Sequence, residues 1–111
     1  MRGLALAEES HAAVADRTND VFVSAASIWE SGLKVMTGRL TLERSLDSAA
    51  AEAGFTELPV TWRHAVRATS LPPLHRDPFD RMLVAQALEE GLVLLTRDPL
   101  VQQYPVATMG A

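Results

Sequence analysis

Leu71-Pro72-Pro73-Leu74-His75-Arg76-Asp77-Pro78-Phe79-Asp80-Arg81-Met82-Leu83-Val84-Ala85-Gln86-Ala87 is the stretch that decides the fold. Its adjacent prolines make 71–74 a rigid loop. Asp77 at the N-cap and Pro78 at the first helical position then open a helix, which Gly91 stops after Glu90. Leu92-Val93-Leu94-Leu95 follows at once, short and wholly apolar, as a strand covered on both faces should be.

The same grammar recurs upstream. Val21-Phe22-Val23-Ser24 reads as a short strand that passes directly into a helix over about 25–38, ended by Gly38. A weaker helix covers about 44–53 before Gly54. Phe55 to Val60 reads as a second strand, and Thr61 caps a helix running to about Ser70. Residues 4–15 read as a further helix, followed by the polar run Asp16 to Asp20, and a last short strand is expected near Val106. Helices alternating with short apolar strands predict an α/β domain with a parallel sheet covered by helices. In such sheets sites form beyond the carboxyl ends of the strands, which directs attention to Ser24–Glu30 and Thr96–Asp98.

The 111 residues suffice for one domain, expected to span 1–111, and show no repeat or linker. Hydrophobic residues at 48% and charged residues at 22% are ordinary for a packed domain. With no cysteine, disulfides and thiolate metal sites are excluded, and a reducing cytoplasmic compartment is expected. No apolar run approaches the length needed to span a bilayer, so no membrane association is expected. The apolar start, Leu4 to Ala7, is broken by Glu8 and Glu9 and is not read as a signal peptide. The net charge of −4 counts against a protein that grips nucleic acid by neutralising phosphates unaided. If RNA is handled, a bound cation must supply part of the attraction.

Among the acids, Asp80 carries most information. On a wheel of 79–90, Arg81, Gln86, Glu89 and Glu90 share a solvent arc, and Asp80 lies opposite it with Val84 and Leu88. A carboxylate on the buried side needs a partner. Capping accounts for Asp77 well and for Asp80, at N3, only in part. Asp98 follows the 92–95 strand in the expected crevice, although Pro99 after it also fits a simple N-cap. Thr96 could orient a carboxylate or a water. Glu30 shares a polar face with Ser27, Lys34 and Thr37, while Ile28, Trp29, Leu33 and Met36 form the apolar face. A solvated Glu30–Lys34 pair is therefore its default explanation. Three acids converging at one sheet edge would suit Mg²⁺, which prefers oxygen ligands and needs only one or two direct carboxylates. His11, His64 and His75 lack ligand spacing and read as surface or satisfied side chains, and Trp29 and Trp62 read as core.

Val21 to Glu30 with Lys34 and Gly38-Arg39-Leu40, the 71–87 stretch quoted above, and Leu94-Leu95-Thr96-Arg97-Asp98 together resemble PIN domains of the VapC toxin type, over nearly the whole chain. The resemblance implies a PIN-like three-layer α/β fold and a metal-dependent endoribonuclease that uses Mg²⁺ or Mn²⁺ to activate water against RNA. Carried over by position, Glu30, Asp80 and Asp98 are three of the four metal-binding, catalytic acids. Asp77 becomes the cap beside the site, Thr96 a support for the metal waters, and His75, Arg76 and Arg81 flank the cleft for contact with RNA or a partner. The implied partners are a cognate antitoxin, RNA and a second copy, as a homodimer or a strand-complemented oligomer.

One departure stands out. The family begins with a hydrophobic strand carrying an aspartate, central in its sheet, and Met1 falls where the helix after that segment is expected. The domain is thus expected to be incomplete at its N-terminus, lacking the first, central strand. An upstream start, direct pairing of the flanking strands, or a strand from another chain would each meet the deficit. Weak or absent activity is expected, and the alternative is a non-catalytic module that binds an antitoxin or RNA without cleavage.

Overall fold

The computed structural model describes residues 13–15 and 20–110. In chain order the elements are β1 (Ala13–Ala15), β2 (Val21–Ser24), α1 (Ala25–Met36), α2 (Leu46–Glu52), β3 (Thr56–Leu58), α3 (Trp62–Ser70), α4 (Pro78–Glu90), β4 (Val93–Leu95), a 3₁₀ turn (Val101–Gln103) and β5 (Thr108–Met109). They form one five-stranded sheet in the order β3-β2-β1-β4-β5, flanked by helices.

Local chemistry explains the element ends. Ser24 Oγ accepts the Ala26 N–H at 3.0 Å and starts α1 without a loop. Thr61 and His64 form a reciprocal capping box on α3. Asp77 Oδ1 accepts the Phe79 N–H at 2.9 Å with Pro78 behind it, and Gly91 (φ 67°) closes α4 in the left-handed conformation.

The centre of the sheet departs from expectation. Residues 4–12 lie outside the described residues, but 13–15, expected as the end of a helix, form β1. This strand sits in the slot expected to be empty, antiparallel to both neighbours: Val14 pairs with Phe22 of β2 and with Leu94 of β4. The β2–β3 and β4–β5 pairs are parallel, so the sheet is mixed, with β1 the one reversed strand among those described. The physical reason is that unpaired backbone groups of β2 and β4 would be costly if buried. A short Ala-Val-Ala run five residues before β2 can reach that slot only by turning back, which makes it antiparallel.

Strand alternation sorts the core. Leu94 and Phe22 join Leu58, Leu83, Val84, Ala87, Leu92, Val101 and Tyr104 on one face, while Leu95 packs with Ala15 and Val21 on the other. Helix α1 is turned opposite to expectation. It buries Ala26, Ser27, Glu30 and Ser31, and leaves Trp29 64% and Met36 73% exposed. Because α1 continues directly from β2, its rotation is set by the strand, and small residues let it lie close. Trp62, also expected in the core, is 91% exposed, and Gln86, expected in the solvent arc, is fully buried beneath α3. Gln86 Nε2 donates to the Pro59 carbonyl at 3.3 Å, which satisfies the amide nitrogen there, while Oε1 is buried and accepts no hydrogen bond.

Candidate active site

Strands β2 and β4 both run opposite to β1, so their carboxyl ends lie on the same edge of the sheet. The candidate site is built there. Asp80 comes from the first turn of α4 and is 2% exposed. Asp98 comes from the loop after β4, where its own N–H donates to the fully buried Thr96 Oγ1 at 3.0 Å. Thr96 therefore anchors the backbone of Asp98. Asp98 Oδ1 also accepts the Leu100 N–H at 2.8 Å, so one oxygen serves the local turn while Oδ2 faces His75.

Between the two carboxylates stands His75. Its Nε2 is 3.0 Å from Asp80 Oδ2 and 2.8 Å from Asp98 Oδ2. Its Nδ1 accepts the Asp77 backbone N–H at 3.1 Å. One ligand atom from each of His75, Asp80 and Asp98 falls within 4.8 Å of the others, the one such cluster among the described residues. By its spacing His75 reads as a surface or satisfied histidine, and the family resemblance makes it a flanking contact; neither marks it as a member of this cluster. Only the turn made by the proline loop brings it back over α4.

Glu30 is 6% exposed, not solvated, and Lys34 Nζ stands 3.8 Å from its Oε2. It lies outside the three-residue cluster, but its charge is felt there. Burial, then the charges of Asp77, Glu30 and Asp98, push the Asp80 carboxyl up from 3.8 to about 7, with His75 acting in the opposite sense. Asp80 Oδ1 is buried and accepts no hydrogen bond. Such an orphaned carboxylate oxygen beside a second carboxylate suits a hard divalent cation, so the donor set fits Mg²⁺ or Mn²⁺.

The remaining residues expected at the cleft separate into three roles. Asp77 is the helix cap, as expected. Arg76 is exposed on the loop. Arg81, expected to reach RNA or a partner, is turned inward instead. Its Nη2 donates to the Ala68 and Leu71 carbonyls at 2.8 and 3.0 Å, and its Nη1 to the Pro72 carbonyl at 3.0 Å and to Tyr104 Oη at 3.2 Å. A planar guanidinium matches this fan of acceptors, and the result is a clamp on the proline loop. Tyr104, which sequence reasoning did not single out, completes the clamp: its hydroxyl donates to the Pro72 carbonyl at 2.8 Å and accepts the His75 N–H at 3.0 Å. His64 is a buried, satisfied histidine, with Nε2 2.8 Å from Glu90 Oε2.

A family model described as the PIN domain matches residues 2–106. The chain belongs to the PIN domain family. No curated protein and no solved structure matches the chain. PIN domains are nuclease-like and typically depend on a divalent metal, in keeping with the Asp80–Asp98 pair at the carboxyl edge of this PIN domain's sheet. No described helix is long and apolar enough to cross a membrane.

Proposed function

We propose that this PIN domain is a VapC-type toxin, a cytoplasmic endoribonuclease dependent on Mg²⁺ or Mn²⁺ and weak in its cleavage of RNA. The observation that carries the reading is the buried Asp80 carboxylate, whose Oδ1 accepts no hydrogen bond, gathered with Asp98 in one cluster at the sheet's carboxyl edge. Asp80 and Asp98 would hold the cation directly, and Glu30 adds negative charge that bears on Asp80. When bound, the cation supplies polarisation of the scissile phosphodiester and a more acidic water. Thr96 keeps Asp98 in place, and the Arg81–Tyr104 clamp keeps the 71–77 loop against α4. A net charge of −4 makes such a cation necessary for approach to RNA as well as for chemistry.

Weak activity follows from the central strand. Ala13-Val14-Ala15 carries no carboxylate, so among the described residues the central strand adds no acid to Glu30, Asp80 and Asp98, where the family has four. This same observation favours the second reading, a module that binds an antitoxin or RNA without cutting. The exposed Trp29, Met36 and Trp62 support a protein-facing surface, for an antitoxin or a second copy. Mn²⁺-dependent cleavage of a mixed pool of tRNA and other structured RNA tests the proposal. Cleavage that disappears in Asp80→Asn and in EDTA supports the enzyme. A folded chain that never cleaves, yet retains RNA or antitoxin binding, supports the module.

A further inference from the structure

Two carboxylates sharing a half-closed cleft repel each other, and when no cation holds them something else must. In this chain that group is His75. A ring nitrogen that accepts a hydrogen bond carries no proton, so the Asp77 N–H at 3.1 Å from Nδ1 assigns the ring proton to Nε2. That Nε2–H faces Asp80 Oδ2 and Asp98 Oδ2 at 3.0 and 2.8 Å and is shared between them. A protonated nitrogen has no lone pair for a metal. In this pose, therefore, His75 occupies the space between the oxygens that a cation needs, and is not itself a ligand.

We infer that His75 is a displaceable occupant of the cation site: its Nε2–H keeps Asp80 and Asp98 together without metal, and cation binding drives the imidazole out of the cleft. The inference rests on the reading of Asp80 and Asp98 as cation ligands. The backbone around His75 is anchored, with its N–H on Tyr104 Oη at 3.0 Å and its carbonyl 3.4 Å from Arg81 Nη1. Displacement is thus a rotation of the side chain alone. The ring is 12% exposed, against 3% for Asp80 and 19% for Asp98, so the cluster opens to solvent on the Asp98 side and the ring's exit path is outward past it. His75 acts through the two acids and is a positioning residue.

The sign of one substitution separates this role from that of a ligand. Removing the internal occupant should tighten cation binding, whereas removing a ligand should weaken it. Mn²⁺ titration calorimetry on the full chain, on His75→Ala and on Asp80→Asn reads the sign. Hydrogen bonds to two carboxylates lost from the cation-free state correspond to a gain on the order of tenfold in Mn²⁺ affinity for His75→Ala. Long-range ¹H–¹⁵N correlation of the His75 ring in the unsubstituted chain gives an arm that does not depend on a variant folding. The ring should report the Nε2–H tautomer without cation, and a solvent-like mixture of tautomers once Mg²⁺ is added. Weaker or unchanged binding by His75→Ala overturns the inference, as does an Nδ1–H tautomer fixed by Mg²⁺, which is the mark of a ligated Nε2. If neither the unsubstituted chain nor His75→Ala binds Mn²⁺, the cation reading falls and the inference with it. Binding abolished only by Asp80→Asn leaves that reading intact.

Discussion

Burial and neighbouring negative charge both act against ionising Asp80, and this gives the cation-free protein a pH dependence of known sign. Its carboxyl is raised from 3.8 to about 7 in the fold, so the folded state holds the proton more tightly than the unfolded chain does. The associated stability is complete below the unfolded value of about 3.8 and is lost as pH rises through about 7. In EDTA, urea midpoints should therefore be lower at about pH 8 than at about pH 5, by an amount worth a few kcal/mol. Asp80→Asn should flatten this dependence while abolishing Mn²⁺-dependent cleavage. Arg81 makes the complementary case, where charge serves structure. Its guanidinium donates to three backbone carbonyls at 2.8–3.0 Å across the proline loop. Arg81→Ala leaves those carbonyls and Tyr104 Oη without that donor and should cost about 2–4 kcal/mol in urea denaturation. A surface residue that only met RNA phosphates would leave stability unchanged.

Among the elements, α1 carries the largest disagreement between pattern and packing. Its apolar residues suggest one buried face, yet the fully buried Ser27 and the buried Ala26 and Ser31 lie on the other. The apolar side instead borders a groove of about 580 Å³ lined by Ala25, Trp29, Leu33, Phe79 and Met82, with Trp29 and Phe79 in edge contact at 5.1 Å. Two substitutions discriminate. Ser27→Leu should overpack the close approach of α1 and destabilise by about 1–3 kcal/mol. Met36→Ser, at a position 73% exposed, should change stability by no more than about 0.5 kcal/mol. Thermal melts of the two variants check the pair, and the opposite ranking would mean that the helix is turned the other way. In α4 the pattern and the packing agree better. Asp77, Pro78 and Gly91 bound the helix where expected, because caps and stops are written in single residues and do not depend on what lies beside them.

For the whole molecule, β1 is what joins the β2–β3 pair to the β4–β5 pair. Three residues hold the two halves of the sheet together, antiparallel to both. Val14→Pro removes one ladder N–H from the middle of this strand and should destabilise the domain by at least about 2 kcal/mol. Hydrogen exchange should then accelerate in Val21–Ser24 and Val93–Leu95 together, since both strands lose their common neighbour. Acceleration confined to one of them would show that β1 belongs to that half alone. The same strand bears on activity, because Ala-Val-Ala places no carboxylate at the centre of the sheet, beside the acids of α1, α4 and the loop after β4.

The alternation of helices and apolar strands, the helix caps, the place of Asp80 in the first turn of its helix and those of Thr96 and Asp98 after their strand were all legible in the sequence. Each rests on periodicity or on a single residue's local hydrogen bonds, and local interactions need no knowledge of the rest of the chain. The meeting of Asp80 with Asp98 could be anticipated in part, because parallel strands bring their carboxyl ends to one edge, but Glu30, expected with them, lies outside the cluster. The features set by long-range packing are different in kind. The rotation of α1, the burial of Glu30 and Gln86, the inward turn of Arg81 and the strand at 13–15 all depend on which partner lies opposite. His75 is the clearest instance. Nothing in its neighbourhood along the chain marks it, and its place between Asp80 and Asp98 follows from a loop held to α4 by Arg81 and Tyr104, residues 6 and 29 positions away. Long-range contacts of that sort are chosen by the packing of the whole domain, and no window of sequence contains them.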